Sequence, residues 1–145
     1  MIGLLQRVTS ASVAVDGEQI AKIGPGLMVL LGVEKNDSRE QAERLVKKIL
    51  EYRVFSDDDG KMNLSVLDIA GEVLLVPQFT LAADTNKGKR PSFSSAASPE
   101  QGADLFAAVV DIMSWQIPQL QTGQFGADMA VELINDGPVT FWLQV

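Results

Sequence analysis

Apolar and polar residues alternate along residues 10–23, SASVAVDGEQIAKI, the period of a strand with one covered face. The alternation breaks at Asp16-Gly17, a strong hairpin-turn pair. A second turn, Gly24-Pro25-Gly26, leads into residues 27–33, LMVLLGV, apolar throughout as a strand covered on both faces requires. Residues 1–33 therefore predict three strands. The period then changes. Ala42, Leu45, Val46 and Ile49 recur on one helical face, and Asp37 and Glu40 ahead of them have capping-box spacing, with Asp in the usual place of Ser or Thr. Residues 55–63, FSDDDGKMN, predict a loop, and residues 73–79, VLLVPQF, a second apolar strand.

After a polar segment at 82–97, Ser98-Pro99-Glu100-Gln101 supplies a cap, a proline at the first helical position and a glutamine three residues past the cap. Ala103, Phe106, Val109, Val110, Met113 and Ile117 continue it as a helical stripe. Gly123 and Gly126 precede a predicted strand around 127–134. Residues 135–138, NDGP, read as a turn, and Val139, Phe141, Leu143 and Val145 alternate with Thr140, Trp142 and Gln144 as a final strand. Three strands, helix, strand, helix, two strands is the pattern of an α/β chain, sheet with helices packed against it. With no repeat, linker or low-complexity tract, residues 1–145 are expected to form a single domain.

Composition narrows the chemistry. The chain has neither cysteine nor histidine. Disulfides, thiolate or imidazole metal sites, Ser-His-Asp triads and Cys-His pairs are thereby excluded. Proton transfer, if there is any, falls to carboxylates, Lys, Tyr, hydroxyls, water or the substrate itself. No metal or other cofactor is expected. A net charge of −7 argues against a broad nucleic-acid-coating surface and against DNA as a partner, while leaving room for a few phosphate contacts. The first residues lack the basic start and apolar core of a secretory leader, and no apolar stretch approaches the ~20 residues that span a bilayer; a cytoplasmic protein with no membrane partner is the expectation.

Three polar features stand out against this background. Pro77-Gln78-Phe79-Thr80 ends an apolar strand, where ligands tend to bind in open α/β sheets; on spacing alone it is first of all an ordinary strand terminus. Asn135-Asp136-Gly137-Pro138 is first of all a turn, and its spelling does not fix the isomer of the Gly137-Pro138 bond. Lys87, Lys89 and Arg90 cluster in a polar segment of an acidic chain, as phosphate contacts or as a solvated loop. The acidic run Asp57-Asp58-Asp59 lacks EF-hand spacing and reads as a solvated turn.

These features coincide with a resemblance. QRV at 6–8, LLGVEK at 30–35, RVFSDDDGKMN at 53–63, QFTLAADT at 78–85, RPSFS at 90–94, SPE at 98–100 and NDGPVTFWLQV at 135–145 resemble the D-aminoacyl-tRNA deacylases, which remove D-amino acids from tRNA. The resemblance runs from end to end. It implies stacked mixed β-sheets with two main helices on the outside, and a homodimer with each site built across the interface. It also implies that Gln78, Phe79 and Thr80 line the pocket for the aminoacylated adenosine of the tRNA acceptor end. Gly137 and Pro138 match a Gly-cis-Pro element that enters the partner's pocket and rejects L-amino acids, and Arg7 either steadies the carbonyls near it or is a solvated strand-end arginine. Glycyl-tRNA, including glycine mischarged on the alanine tRNA, is an implied substrate. Family knowledge assigns the reaction to help from the 2′-hydroxyl of the tRNA, and the missing histidine independently points the same way. Gln78 and Thr80 are then the catalytic candidates, with Thr80 a hydrogen-bonding group rather than a nucleophile, since nothing is available to deprotonate it.

One departure bears on this. The family usually has serine where this chain has Pro77, which lacks both the hydroxyl and the N–H. A catalytically weakened homologue that binds an adenosine-like ligand is the rival reading, together with a cofactor-free structural module.

Overall fold

A computed structural model describes residues 1–145. Strand β1 (Ile2–Val15) organises the sheet. Along one edge it pairs antiparallel with β8 (Ala130–Gln144) for nearly its whole length. Its other edge is shared between β3 (Gly26–Gly32), opposite residues 2–8, and β2 (Glu18–Ile23), opposite residues 11–15. Beyond β3 lie β6 (Glu72–Pro77) and β7 (Gln121–Thr122), both parallel additions. Because β2 also comes back against β6 and β7, the six strands curl on themselves, and the two stacked layers belong to one continuous sheet.

Alternation of side chains across β3 and β6 divides the core in two. Leu27, Val29, Leu31, Val73 and Leu75 face helices α1 (Arg39–Glu51) and α2 (Pro99–Ser114). Met28, Leu74 and Val76 face inward onto Val8, Ala11, Val13, Ala21 and Ile23 of β1 and β2. This is why those runs are apolar at every position.

The cap of α1 lies one residue later than the Asp37/Glu40 spacing predicted. Ser38 is the N-cap, its Oγ accepting from the Glu40 N–H at 3.3 Å while Gln41 Oε1 accepts from the Ser38 N–H at 2.9 Å. Asp37 is taken by other partners, accepting from the Glu34 N–H and from the Met1 ammonium, each at 2.7 Å. In α2 the Ser98 cap and Pro99 stand as expected, but the Gln101 side chain reaches the carbonyls of Lys35 and Asp37 and ties the two helix starts together. The helix ends at Ser114, so Ile117 is buried just beyond it.

The loop predicted over 55–63 is a small hairpin, β4 (Phe55–Ser56) and β5 (Met62–Leu64). Asp57 closes its turn by accepting from the N–H groups of Asp59 and Lys61. The turn predicted at 135–138 also differs. Residues 130–144 form one strand, and the register with β1 passes from Val8↔Asn135 to Gln6↔Thr140. Arg7 alone therefore faces Asp136, Gly137, Pro138 and Val139, which bulge out of the ladder without reversing the chain.

Candidate active site

Strand β6 stops at Pro77, two residues before the predicted end, and a 3-10 turn follows over Phe79–Ala82. Two features set the break. The Gln78 N–H still donates to Leu31 O at 2.7 Å, holding the strand end to β3. The turn then settles on Gly32, where an added Cβ would lie 2.8 Å from Leu81 Cβ and 3.3 Å from Gln78 O; only glycine admits so close an approach. Pro77 breaks no ladder bond. Its nitrogen faces the edge opposite β3, past the point where β7 pairing ends at Leu75↔Thr122.

At this strand end opens a cleft of about 510 Å³. Pro77, Gln78 and Phe79 form one side; Phe106 of α2 and the 125–129 segment form the other. The lining is mainly apolar, as small-molecule sites are, with Gln78, Ser98 and Asp128 as its polar side chains. Gln78 Nε2 donates to Thr80 Oγ1. A hydroxyl that accepts in this way keeps its own proton for an outside acceptor, and no neighbouring base takes that proton away. Phe79 is exposed and leans on Phe93, ring centroids 5.2 Å apart. Phe106 and Phe125 make a second tilted pair at 6.2 Å.

The segment after the turn is pinched where Asp84 and Ser92 exchange backbone hydrogen bonds at 2.8 and 3.0 Å. Lys87, Lys89 and Arg90 sit exposed in the loop this closes, and none belongs to the five ion pairs of the chain. Three of the twelve basic residues are thus gathered, without ion-pair partners, on one loop nine to twelve residues after Gln78.

Gly137 and Pro138 do not line this cleft. They project from β8 beside Arg7, and the bond between them is cis. Gly137 has φ +129, and a Cβ there would meet Val139 Cγ2 at 2.8 Å and Arg7 Nη2 at 3.2 Å, so no other residue fits. Arg7 is no solvated strand-end residue. Only 12% of its side chain is exposed, Nε donates to Asp136 O at 3.0 Å and pairs with Asp136 Oδ2 at 3.2 Å, and Nη1 donates to Val54 O at 2.6 Å. Its planar fork thereby anchors the bulge to the buried end of the 52–54 segment. Within one chain, then, Gln78 and Phe79 line the cleft while Thr80, expected there too, lies outside its lining and is joined to it only through Gln78; Arg7, Gly137 and Pro138 come together, and the two groups stand apart.

Sequence reasoning missed the far wall of the cleft. Phe125 lies between Gly123 and Gly126, Asp128 and Met129 follow them, and none carries a period that sets it apart from a strand start.

A family profile described as D-Tyr-tRNA(Tyr) deacylase matches residues 4–144. The D-aminoacyl-tRNA deacylases of Salmonella typhimurium and Salmonella typhi are each 59% identical over 145 residues, covering 100% of both chains. Among solved structures, the c-Myc DNA Unwinding Element Binding Protein is 42% identical with a TM-score of 0.96, over 100% of this chain and 99% of that one. A probable eukaryotic D-amino acid tRNA deacylase shares the fold at 16% identity, with a TM-score of 0.86 over 99% and 98% of the two chains. The chain belongs to the D-Tyr-tRNA(Tyr) deacylase family. It is a deacylase, a hydrolase of the aminoacyl-tRNA ester bond.

Proposed function

We propose that the chain hydrolyses the ester of D-aminoacyl-tRNA, and of glycyl-tRNA including glycine mischarged on the alanine tRNA, in the cleft at Gln78. It does so in the cytoplasm as a homodimer, with Gly137-Pro138 of one protomer entering the cleft of the other. One observation carries this reading above all: Gly137 and Pro138 lie outside the cleft of their own chain, so a second copy is the simplest way to unite the two motifs. The far edge of β8 is consistent with such a partner. The strand pairs only with β1, and Ile134 and Trp142 on it are more than half exposed, at 58% and 51%; a long open edge of this kind calls for a cover.

The chemistry needs no titrating side chain. Water adds to the ester carbonyl carbon, the bond to the ribose 3′-oxygen breaks, and a proton from the water reaches that oxygen by way of the vicinal 2′-hydroxyl. Gln78 and Thr80 orient the acyl group by hydrogen bonding, and positioning of this kind lowers barriers by several kcal/mol. Phe79 flanks the adenosine. Stereochemistry is decided by exclusion: main chain at Gly137-Pro138 occupies the space where an L side chain would project, a D side chain points out of the cleft, and glycine passes because it has neither.

The test is D-Tyr-tRNA whose terminal adenosine lacks the 2′-hydroxyl. Losing the proton relay slows turnover by about 100-fold or more, and Thr80→Ala slows it less. Turnover of the deoxy substrate at the normal rate would remove the assisted mechanism.

A further inference from the structure

The β8 bulge is held from both faces of β1. Successive side chains of a strand point to opposite sides, and Arg7 grips Asp136 from one side. Gln6, the next residue, reaches from the other. Its Nε2 donates to Asn135 Oδ1 at 3.3 Å and to Thr140 Oγ1 at 3.4 Å. Asn135 and Thr140 are the last residues in register on either side of the four that bulge. One amide therefore bridges both shoulders of the loop that carries Gly137 and Pro138.

We propose that Gln6 is a positioning residue for stereochemical selection: by tying Asn135 to Thr140 it fixes the width of the bulge, and hence where the Gly137-Pro138 main chain meets a substrate. The inference rests on the reading of that main chain as the element that rejects L-amino acids. A gate that works by exclusion is sensitive to shifts of a few tenths of an ångström, because a clash relieved on one enantiomer changes nothing for the other. Arg7 determines where the loop is anchored; Gln6 determines its spread.

Two variants test this. Gln6→Leu keeps most of the volume and removes both donors, and Thr140→Val removes one acceptor. The readout is the ratio of kcat/KM for D-Tyr-tRNA to that for L-Tyr-tRNA, measured beside the melting temperature. Losing two neutral hydrogen bonds lowers the ratio by about tenfold, or ~1.4 kcal/mol, in a protein that melts within a few degrees of the wild type. Thr140→Val lowers it less, and the double variant is no worse than Gln6→Leu alone, because the shared donor is already gone. A Gln6→Leu protein that discriminates as well as the wild type overturns the inference, and if it also melts much lower, Gln6 is a stability residue only. A wild type that does not favour the D substrate overturns the gate itself, and this inference with it.

Discussion

Replacing Arg7 with alanine removes the anchor of the β8 bulge. Arg7 makes two charge-assisted hydrogen bonds to carbonyls, at 3.0 Å to Asp136 and 2.6 Å to Val54, each of a kind that contributes about 1.5–3 kcal/mol. The ion pair with Asp136 adds little, since that carboxylate is 51% exposed and such pairs contribute at most about 1 kcal/mol. Val54 is buried, so its carbonyl is left without a partner unless water enters. The expected loss is about 3 kcal/mol, which for a chain of this size lowers the melting temperature by roughly 10 °C. Thermal unfolding of Arg7→Ala measures the first effect, and the D-to-L ratio of kcat/KM the second, which falls because the Gly137-Pro138 main chain is no longer held. Arg7→Lys separates geometry from charge. A single ammonium cannot serve Val54 O and Asp136 O with the fixed fork of a guanidinium, so this variant lies between alanine and wild type on both measures. A melting temperature within about 3 °C of the wild type, with unchanged selectivity, would refute the anchoring role.

Three further outcomes follow from the same geometry. Lys87→Ala/Lys89→Ala raises KM at low salt and flattens the dependence of log KM on log salt by up to about 0.7 per lost phosphate contact; equal slopes for variant and wild type would mark the loop as merely solvated. Pro77→Ser changes stability by less than about 1 kcal/mol, because no ladder hydrogen bond is restored; a large stabilisation by thermal unfolding would contradict that placement of the Pro77 nitrogen. Burial pushes the Glu34 carboxyl up, but the hydrogen bond from the Gln144 side chain, together with that from the Met1 ammonium and its charge, outweighs burial and holds it below the usual carboxylate range. A depressed carboxyl stabilises the fold above its unfolded pKa and loses that stabilisation as pH falls through the folded one, so Glu34→Gln flattens the acid limb of the melting temperature against pH; an unaltered limb would contradict the assignment.

The sequence is most legible where structure is local. The Asp16-Gly17 hairpin and the Ser98-Pro99 helix start depend on neighbours a few residues away, and the structure has both. The cap of α1 falls at Ser38 rather than Asp37 because Asp37 is claimed by the Met1 ammonium, 36 residues distant, a competition no local spacing records. NDGP predicts a reversal because its composition is that of a turn. It bulges instead because β1 runs on beneath it and pairs on both sides, which is a property of register rather than of the four residues. The candidate site divides in the same way. The strand-end and NDGP motifs announce themselves, whereas Phe125, Asp128 and Met129 join the cleft only through the path of the chain after β7. Gln6 gains its meaning only once Asn135 and Thr140 flank a bulge.

Whether Gly137-Pro138 of one protomer meets the Gln78 cleft of another is open to a direct measurement, helped by the absence of native cysteine. A Phe79→Cys/Pro138→Cys protein treated with a short bis-maleimide is resolved on a denaturing gel. The cross-subunit site predicts a covalent band at twice the chain mass, suppressed by a non-hydrolysable D-aminoacyl-adenosine analogue. A protein that stays at the mass of one chain, with or without the analogue, would contradict it.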